Sequence, residues 1–395
     1  MGNDNLNKLL PSISVSNESS TFTFNSMPYW EGVKKKSGIT RTLPFVLTAT
    51  NDSLIKQITS EQVIADVINA YQLNEYAFIT HPPGSSEWAD VLGQSQVDVV
   101  KQMLGKIFPK NILEIGGGST WVANKLRKHY NPLSYTIVDP SVKDTDEGVK
   151  VILDYFPNSQ IANLNFDLIL GFNVLEHVPD PLNFLHSIRK QIDKNGKVIL
   201  VFPDCNKQLL QGDLNVLVHE HLTYFTETSF RWLAFKAGFS ILSLTSENDT
   251  FSAVLEKTSN QFDINQKLNQ HKLIADSANA IQNLFFKRYE EINSYLTKNQ
   301  QVAFHGATAG LNTFLYITGL GQHPNIRIYD GDSSKEGFYL PACASRIMSP
   351  SDKSYIKNSL LVISAMSFFD EIKQSAVIKY NFNKSRVISL TGNKS

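Results

Sequence analysis

The sequence predicts an α/β protein: a doubly wound, mostly parallel sheet ending in an antiparallel hairpin, then a second, smaller Rossmann-like α/β domain. Three observations carry this. Short apolar runs recur at NILEI, SYTIVD, FDLILGFN and KVILVFP with helical stretches or turns between them. The segments FSILSLTSE and TFSAVLEK flank the polar turn NDT and should pair as a hairpin. A second alternation, QVAFHGATAG, NTFLYITGL, NIRIYDGD and LLVISAMSFFDEI, begins near residue 300.

Taken in order, residues 1–74 are polar and irregular, with one helix expected at SEQVIADVINAYQL; they read as an atypical segment or small cap. Residues 75–260 form the first α/β domain, entered by YAFITHPPGSSEWADVLG, a loop leading into a helix through SQVDVVKQMLGKIF. Residues 261–299 form a helical connector, with Leu268, Ile274, Ala278, Ile281, Leu284, Phe285, Tyr289, Ile292 and Leu296 at helical spacing. Residues 300–395 form the carboxyl-terminal domain.

A chain of 395 residues with 42% hydrophobic content can bury more than one core. Its 37 basic and 37 acidic residues give no net charge, so a nucleic-acid partner is not expected. Cys205 and Cys343 are the two cysteines, too few for a disulfide framework or a cysteine zinc site. The amino terminus has no basic-then-apolar leader and no run approaches membrane-spanning length. A cytoplasmic protein without a membrane partner is expected.

The run ILEI stops at Gly116, Gly117 and Gly118 and continues as WVANKLRKHY, the form of strand, tight turn and helix. The next strand ends at Asp139, 21 residues beyond Gly118, where a carboxylate can accept both hydroxyls of an adenosine ribose. NAD would use the same geometry, so glycine and acid alone leave the cofactor open. Glu114 before the turn, the order EIGGGS in place of G-x-G-x-x-G, Pro140 after the acid, and the cluster Asp154, Tyr155 and Phe156 favour S-adenosylmethionine. That cofactor has no pyrophosphate to cradle, and S-adenosylhomocysteine would be its product. A parallel sheet ending in a hairpin is the methyltransferase variant of the doubly wound fold.

Two further segments should carry chemistry. In GFNVLEHVPDP, Asn173 should emerge at the carboxyl end of a strand to meet the cofactor, with His177 just beyond as a site residue and Glu176 structural. In VLVHEHLTYFT, His219, Glu220 and His221 suggest a metal cluster, but adjacent residues converge poorly on one ion and the spacing is not H-E-x-x-H. No metal is expected. Methyl transfer needs an aligned acceptor and an acceptor for its proton. His221 is the expected base, Glu220 a substrate contact, His219 and Tyr224 neighbours of the acceptor, and Tyr76 a phenol closing over the site. In the last domain, the turn from Gly306 to Gly310, with Thr308 and Asn312, could receive a diphosphate, and Asp330, Lys335 and Tyr339 lie near a similar edge. A nicotinamide-dependent oxidoreductase and a non-catalytic scaffold are the rival readings.

The order EIGGGS, VDPS, FNVLEHVPDP, HEHLTYF, FHGATAGLNT, DGDSSKEGFYLP and SAMSFFDEI resembles the sugar C-methyltransferase family over roughly residues 75–395. The resemblance implies cofactor contacts at Gly116, Gly118, Asp139 and around Asn173. It also implies site roles for Tyr76, His177, Glu220 and His221, and a nucleotide-linked keto-sugar as acceptor, methylated at carbon. The sequence departs from that family at Val218, where a tyrosine is usual. It also departs at Ala309-Gly310-Leu311-Asn312, where A-K-G-N is usual, and at Pro341-Ala342 in place of P-G. The family's amino-terminal cysteine-rich zinc module has no counterpart, since neither cysteine lies in residues 1–200. These departures touch the acceptor side, leaving O- or N-methylation of a natural-product intermediate as the alternative reading.

Overall fold

The computed structural model describes residues 12–15, 20–39, 41–49, 54–73, 82–85, 87–144, 146–258 and 270–391. The amino-terminal part is more regular than its composition suggests. Strands β1 (Ser12–Val15), β2 (Ser20–Pro28), β3 (Thr42–Ala49) and β4 (Ile55–Ile58) form an antiparallel meander, followed by helix α1 (Glu61–Leu73) where a helix was expected. The cause is period-two burial: Phe22 and Phe24 on β2 and Phe45 and Leu47 on β3 all turn inward and are fully enclosed. Polar residues on the outer face mask that pattern in the overall composition.

Helix α2 (Glu87–Leu104) starts earlier than SQVDVV, and the doubly wound sheet follows. Its elements are β5 (Asn111–Ile115), α3 (Trp121–Tyr130), β6 (Ser134–Val138), β7 (Lys150–Ile152), β8 (Phe166–Phe172), α4 (Pro181–Gln191) and β9 (Ile192–Pro203). Then come α5 (Cys205–Leu210), β10 (Thr223–Tyr224), α6 (Glu227–Lys236), β11 (Phe239–Glu247) and β12 (Thr250–Lys257). The seven strands lie in the order β11-β12-β9-β8-β5-β6-β7, with β11 and β12 antiparallel and the pairs from β9 to β7 parallel. Strand order reverses between β5 and β8, so a crevice opens there at the carboxyl ends of the strands. The β11–β12 turn sets Asn248 (φ 50) and Asp249 (φ 58) in the left-handed region, as a two-residue hairpin turn requires.

Strand β10 leaves this sheet and pairs with β4, becoming the last strand of the amino-terminal one. The HEH segment just before it therefore lies where two sheets meet.

A single long helix, α7 (Gln270–Leu296), covers the described part of the expected connector; Leu268 lies outside the described residues. It is followed by β13 (Val302–His305), α8 (Ala309–Thr318), β14 (Ile326–Tyr329), β15 (Ile347–Met348), β16 (Leu360–Ile363), α9 (Phe369–Ile378) and β17 (Val387–Ser389). These strands form an all-parallel sheet in the order β15-β14-β13-β16-β17. Helix α7 does more than lead out of one domain. One continuous core joins Phe22 and Phe45 of the amino-terminal sheet, Ile281 and Phe285 of α7, and Phe304 and Phe314 of the last domain. Phe285 and Phe314 stack with centroids 5.3 Å apart. Burying each such ring contributes roughly 2–3 kcal/mol, which ties the amino-terminal sheet and the last domain to the same spine. Among the described residues no helix is long and apolar enough to cross a membrane.

Candidate active site

Strand β5 is enclosed beyond its first residue, and the chain then bends through Gly116 (φ 74) and Gly118 (φ 66), conformations glycine adopts without strain. Gly118 N donates to Asp139 Oδ2 at 3.0 Å, while Asp139 Oδ1 accepts from Ser141 N and Oγ, each at 2.6 Å. The acid at the end of β6 thus caps the glycine turn. A carboxylate offers about four lone-pair directions, so one remains open on Oδ2. Below the turn, a Cβ on Gly117 would come within 2.8 Å of Glu114 Oε1. Glu114 is only 1% exposed and its Oε2 accepts from Tyr135 Oη at 2.5 Å. Burial pushes its carboxyl up to about 7, against the Tyr135 bond, with the Asp139 charge adding to the rise. The expectation that Glu114 meets the cofactor is therefore corrected: its side chain is enclosed beneath the turn and supports it.

The loop at Pro82–Ser85 folds over the turn, with Ser119 Oγ donating to the Pro83 carbonyl at 2.6 Å. A cleft of about 330 Å³ lies here, lined by Pro82, Pro83, Gly118, Ser119, Ser141 and Lys143. Pro140 is partly buried after Asp139. Asp154 accepts from Tyr155 N and Asn158 Nδ2, both at 2.8 Å, and the Phe156 ring lies edge-on to Phe184 at 5.4 Å. Tyr155 Oη donates to the Ile68 carbonyl of α1 at 3.0 Å, so this residue also anchors the amino-terminal helix.

On the neighbouring strand, Asn173 (φ 52) ends β8 exposed, and its Nδ2 donates to Glu176 Oε1 at 3.4 Å. This loop abuts the glycine turn: a Cβ on Gly116 would lie 3.2 Å from the Val174 side chain. His177 Nδ1 lies 3.0 Å from the Glu220 main-chain oxygen, and its ring meets that of His221 edge-on at 5.0 Å. Glu176, His177 and His221 each bring one donor atom within 4.8 Å of the others. Burial drives the Glu176 carboxyl up to about 8, against bonds from its own backbone and Asn173, with Glu220 adding to the rise. Burial likewise lowers His177 to about 4, against its Glu220 partner. His221 falls well below its usual range through burial and then through His177, opposed by the Val216 carbonyl. Both imidazoles are neutral at pH 7, the form that can take up a proton.

The other expected site residues are placed differently. Glu220 is 6% exposed and joins the cluster through its main-chain oxygen. His219 points the opposite way, 2% exposed, its ring 5.5 Å from both Tyr29 and Phe45 of the amino-terminal sheet. Tyr224 is fully enclosed and donates to the Val218 carbonyl at 3.3 Å. The substrate contacts expected of His219 and Tyr224 are thus corrected: both rings are enclosed against Phe45 of the amino-terminal sheet, and Tyr224 supports the site from beneath, its ring 6.1 Å from that of His221. Tyr76 lies outside the described residues.

The carboxyl-terminal turn does not present a phosphate cradle. Gly306 N donates to the Tyr329 carbonyl at 2.8 Å, Ala307 N to Asp330 Oδ2 at 2.7 Å, and Thr308 N to the Gly306 carbonyl at 3.1 Å. Thr308 Oγ1 accepts from Leu311 N at 3.2 Å, capping α8, and Gly310 N donates to Asn215 Oδ1 at 3.1 Å. Asn312 is buried and accepts from Ala342 N at 2.8 Å. Lys335 Nζ is paired with Asp330 Oδ2 at 3.0 Å, and Tyr339 Oη accepts from Arg346 Nε at 2.7 Å. The diphosphate role expected of this turn is corrected for that reason: the N–H groups of Gly306, Ala307, Thr308 and Gly310 are all donated inside the fold, and Asn312 Oδ1 is held by Ala342. Asn215 went unnoticed in the sequence. Its amide holds Asp213 Oδ1 and the Ser364 carbonyl, each at 2.9 Å, as well as Gly310 N. The turn-forming run GDLN was the one available signal.

An acid-capped glycine turn on the first strand, in a seven-stranded sheet closed by an antiparallel hairpin, defines a class I methyltransferase domain. Residues 88–244 match the family described as "Methyltransferase domain". This part of the chain is an S-adenosylmethionine-dependent methyltransferase domain, which sets the nicotinamide reading aside. Two similar curated proteins, both named ubiquinone biosynthesis O-methyltransferase, come from strains of Actinobacillus pleuropneumoniae. They are 25% and 23% identical over 156 residues, covering 36% of this chain and 65% of theirs. The chain thus spans somewhat under two thirds of the length of those relatives. A solved O-methyltransferase family protein from Burkholderia thailandensis is 14% identical, covering 50% of this chain and 67% of its own, with a TM-score of 0.39.

Proposed function

We propose that the protein methylates a small-molecule acceptor at oxygen or nitrogen, with His221 taking up the acceptor's proton. The observation that carries this reading is one crevice with two kinds of wall. The capped glycine turn stands on one side, and the neutral His177–His221 pair stands on the adjoining loop. S-adenosylmethionine, when bound, supplies an electrophilic methyl group. Gly116 and Gly118 leave room for it, the open lone pair of Asp139 suits a ribose hydroxyl, and Asn173 stands exposed just beyond β8. His177 holds the HEH loop through the Glu220 main-chain oxygen, and His221 beside it accepts a proton from a hydroxyl or ammonium group. The likeness to O-methyltransferases supports an oxygen acceptor. An acceptor of this kind needs no carbon acid to be ionised.

C-methylation of a nucleotide-linked keto-sugar is the second reading, and one observation favours it. Asp330 repeats the geometry of Asp139, accepting from Ala307 N of the preceding turn and from Asp332 N at 2.9 Å. The occupied amides of the α8 turn weigh against a diphosphate at that place. Calorimetry with S-adenosylhomocysteine, using NAD as control, tests the cofactor. An acceptor screen with carbon-labelled methyl donor then reads which atom is methylated. His221→Ala should lower kcat by about 100-fold or more with S-adenosylhomocysteine affinity retained; full activity in that variant would remove His221 from the mechanism.

A further inference from the structure

Helix α1 is held by few contacts, and two of them lead to opposite walls of the crevice. A helix of 13 residues is marginal in water by itself, so this one persists through what it touches. Among the described residues its enclosed side chains are Val63 and Val67, which pack with Tyr29 and Leu43 in a small cluster apart from the larger cores. Glu61, Gln62, Ala65, Ile68 and Asn69 face solvent. An element buried so thinly lies at the low end of local stability.

On the cofactor side, Tyr155 Oη donates to the Ile68 carbonyl at 3.0 Å. Tyr155 follows the carboxyl end of β7, where Asp139 N donates to the Ile152 carbonyl at 3.1 Å. Burial, then the charges of Asp139 and Asp154, raise its phenol above the usual range, as expected of a tyrosine beside the acid that caps the glycine turn. On the other side, Asp66 Oδ2 pairs with Arg41 Nη2 at 2.6 Å, and the Arg41 guanidinium lies 4.6 Å from the centre of the Tyr29 ring. That ring is the one 5.5 Å from His219. Asn215 and β10 fix the two ends of the HEH segment, whereas this chain of contacts bears on its middle. Asp66 and Ile68 are neighbours but one in the helix, so a single short stretch of α1 touches both walls.

We infer that α1 is a clamp that couples cofactor occupancy to the placement of the HEH segment, with Tyr155 and Arg41 as its positioning residues. The inference rests on the reading of the glycine-turn crevice as the cofactor site. A cofactor lodged against Asp139 fixes Tyr155, the phenol holds α1, and α1 holds Tyr29 and His219 through Arg41. Without the cofactor, water competes for the exposed bond between Tyr155 and Ile68, and the helix loosens. The coupling is reciprocal: whatever factor the cofactor adds to closure, closure adds to cofactor affinity. The consequence is an order of events, in which the acceptor meets a settled HEH segment only after the cofactor is in place.

The test is hydrogen–deuterium exchange on the full chain with and without saturating S-adenosylhomocysteine, whose binding to each sample is read by calorimetry. In the parent, amides of residues 61–73 and 219–224 should exchange about 5-fold more slowly, or slower still, with the ligand bound, and those of α9 should not change. Tyr155→Phe should bind the ligand about 5-fold more weakly and lose the slowing in both segments. Arg41→Gln should keep the slowing in residues 61–73 and lose it in 219–224. Ligand binding without slowing in both segments of the parent, or with slowing shared equally by α9, overturns the clamp and leaves the cofactor reading standing. Slowing that survives in Tyr155→Phe overturns it too, since the helix would then answer to another contact. Absence of binding in the parent defeats the cofactor reading and the clamp with it. Should Tyr155→Phe fail to fold, the parent and Arg41→Gln still decide.

Discussion

Asp139→Asn tests the cofactor geometry most directly. The carboxylate accepts from Gly118 N at 3.0 Å and from Ser141 N and Oγ at 2.6 Å, with one lone pair left on Oδ2. An asparagine keeps the shape, loses the charge and turns one acceptor atom into a donor. That donor must then face either the Gly118 or the Ser141 N–H, so one turn contact is lost whichever way the amide flips. Hydrogen bonds to a charged group contribute roughly 1.5–3 kcal/mol and neutral ones roughly 0.5–1.5 kcal/mol. In the proposed complex one ribose hydroxyl would take the open lone pair, and a second would displace Ser141 Oγ. The change in two such bonds is therefore roughly 1.5–3 kcal/mol, or about 10–100-fold in affinity for S-adenosylhomocysteine. Calorimetry reads that loss, and a thermal melt should show a drop of a few degrees from the weakened turn. An affinity within about twofold of the parent, with the fold intact, would mean that Asp139 caps the turn and does nothing more.

Asn215→Ala removes an amide held by Gly310 N, the Ser364 carbonyl and Asp213, leaving buried backbone groups unpaired; a loss of roughly 2–4 kcal/mol in urea unfolding is expected. Turnover should fall while S-adenosylhomocysteine binding holds. Gly306→Ala places a methyl 2.7 Å from Ala365 N at a φ of 110, so its melting temperature should drop by several degrees; an unchanged melt would contradict this backbone. Stability should peak near pH 6.5. Neutral His177, His219 and His305, each lowered from 6.5 to about 4, stabilise the fold above pH 6.5 and lose that contribution as pH falls towards 4. Glu114 and Glu176, raised from 4.5 to about 7 and 8, stabilise it in their protonated forms and lose that contribution as pH rises from 4.5 through those values. Each group changes stability by about 1.4 kcal/mol per pH unit within its window. Below pH 6.5 these histidines and His221, also lowered by burial, outweigh the two glutamates and Asp213, raised from 3.8 to about 6, and above it Glu114 and Glu176 remain to act. Melting temperatures that rise steadily to pH 8 would refute the assignment.

Strands enclosed on both faces announce themselves as unbroken apolar runs, and β5, β6, β8 and β9 were legible for that reason. The hairpin was legible from NDT between alternating segments, and Asp139 from its distance to Gly118. The amino-terminal sheet was not, because its inward residues, Phe22, Phe24, Phe45 and Leu47, are diluted by polar ones on the outer face. The pairing of His177 with His221 was half legible. Each residue stood out at the end of a strand, but their meeting depends on two loops whose approach no local pattern encodes. The carboxyl-terminal turn misled for a related reason. A glycine turn before a helix reads as an anion site until the rest of the fold supplies partners for its amides, and Asn215, nearly a hundred residues away in sequence, supplies one of them.

Residues 211–226 explain why three sheets are needed for one site. At one end a Cβ on Gly212 would lie 3.1 Å from the backbone of α7, so the segment starts clamped to the shared spine. Asn215 then fastens it to α8 and to the Ser364 carbonyl beyond β16. His219 fills a hollow between Tyr29 and Phe45, and Thr223 and Tyr224 complete the amino-terminal sheet beside β4. Between these anchors Glu220 and His221 turn to His177 at the methyltransferase crevice, and Leu222 N donates to the Glu176 carbonyl at 2.7 Å. A proton acceptor works only when held within hydrogen-bond reach of its substrate, and a loop of this length carries large conformational entropy when free. The amino-terminal sheet and the carboxyl-terminal domain absorb that cost by fixing the segment from both sides. The position of His221, and with it the proton-acceptor role proposed for it, is thus set by contacts outside the methyltransferase domain.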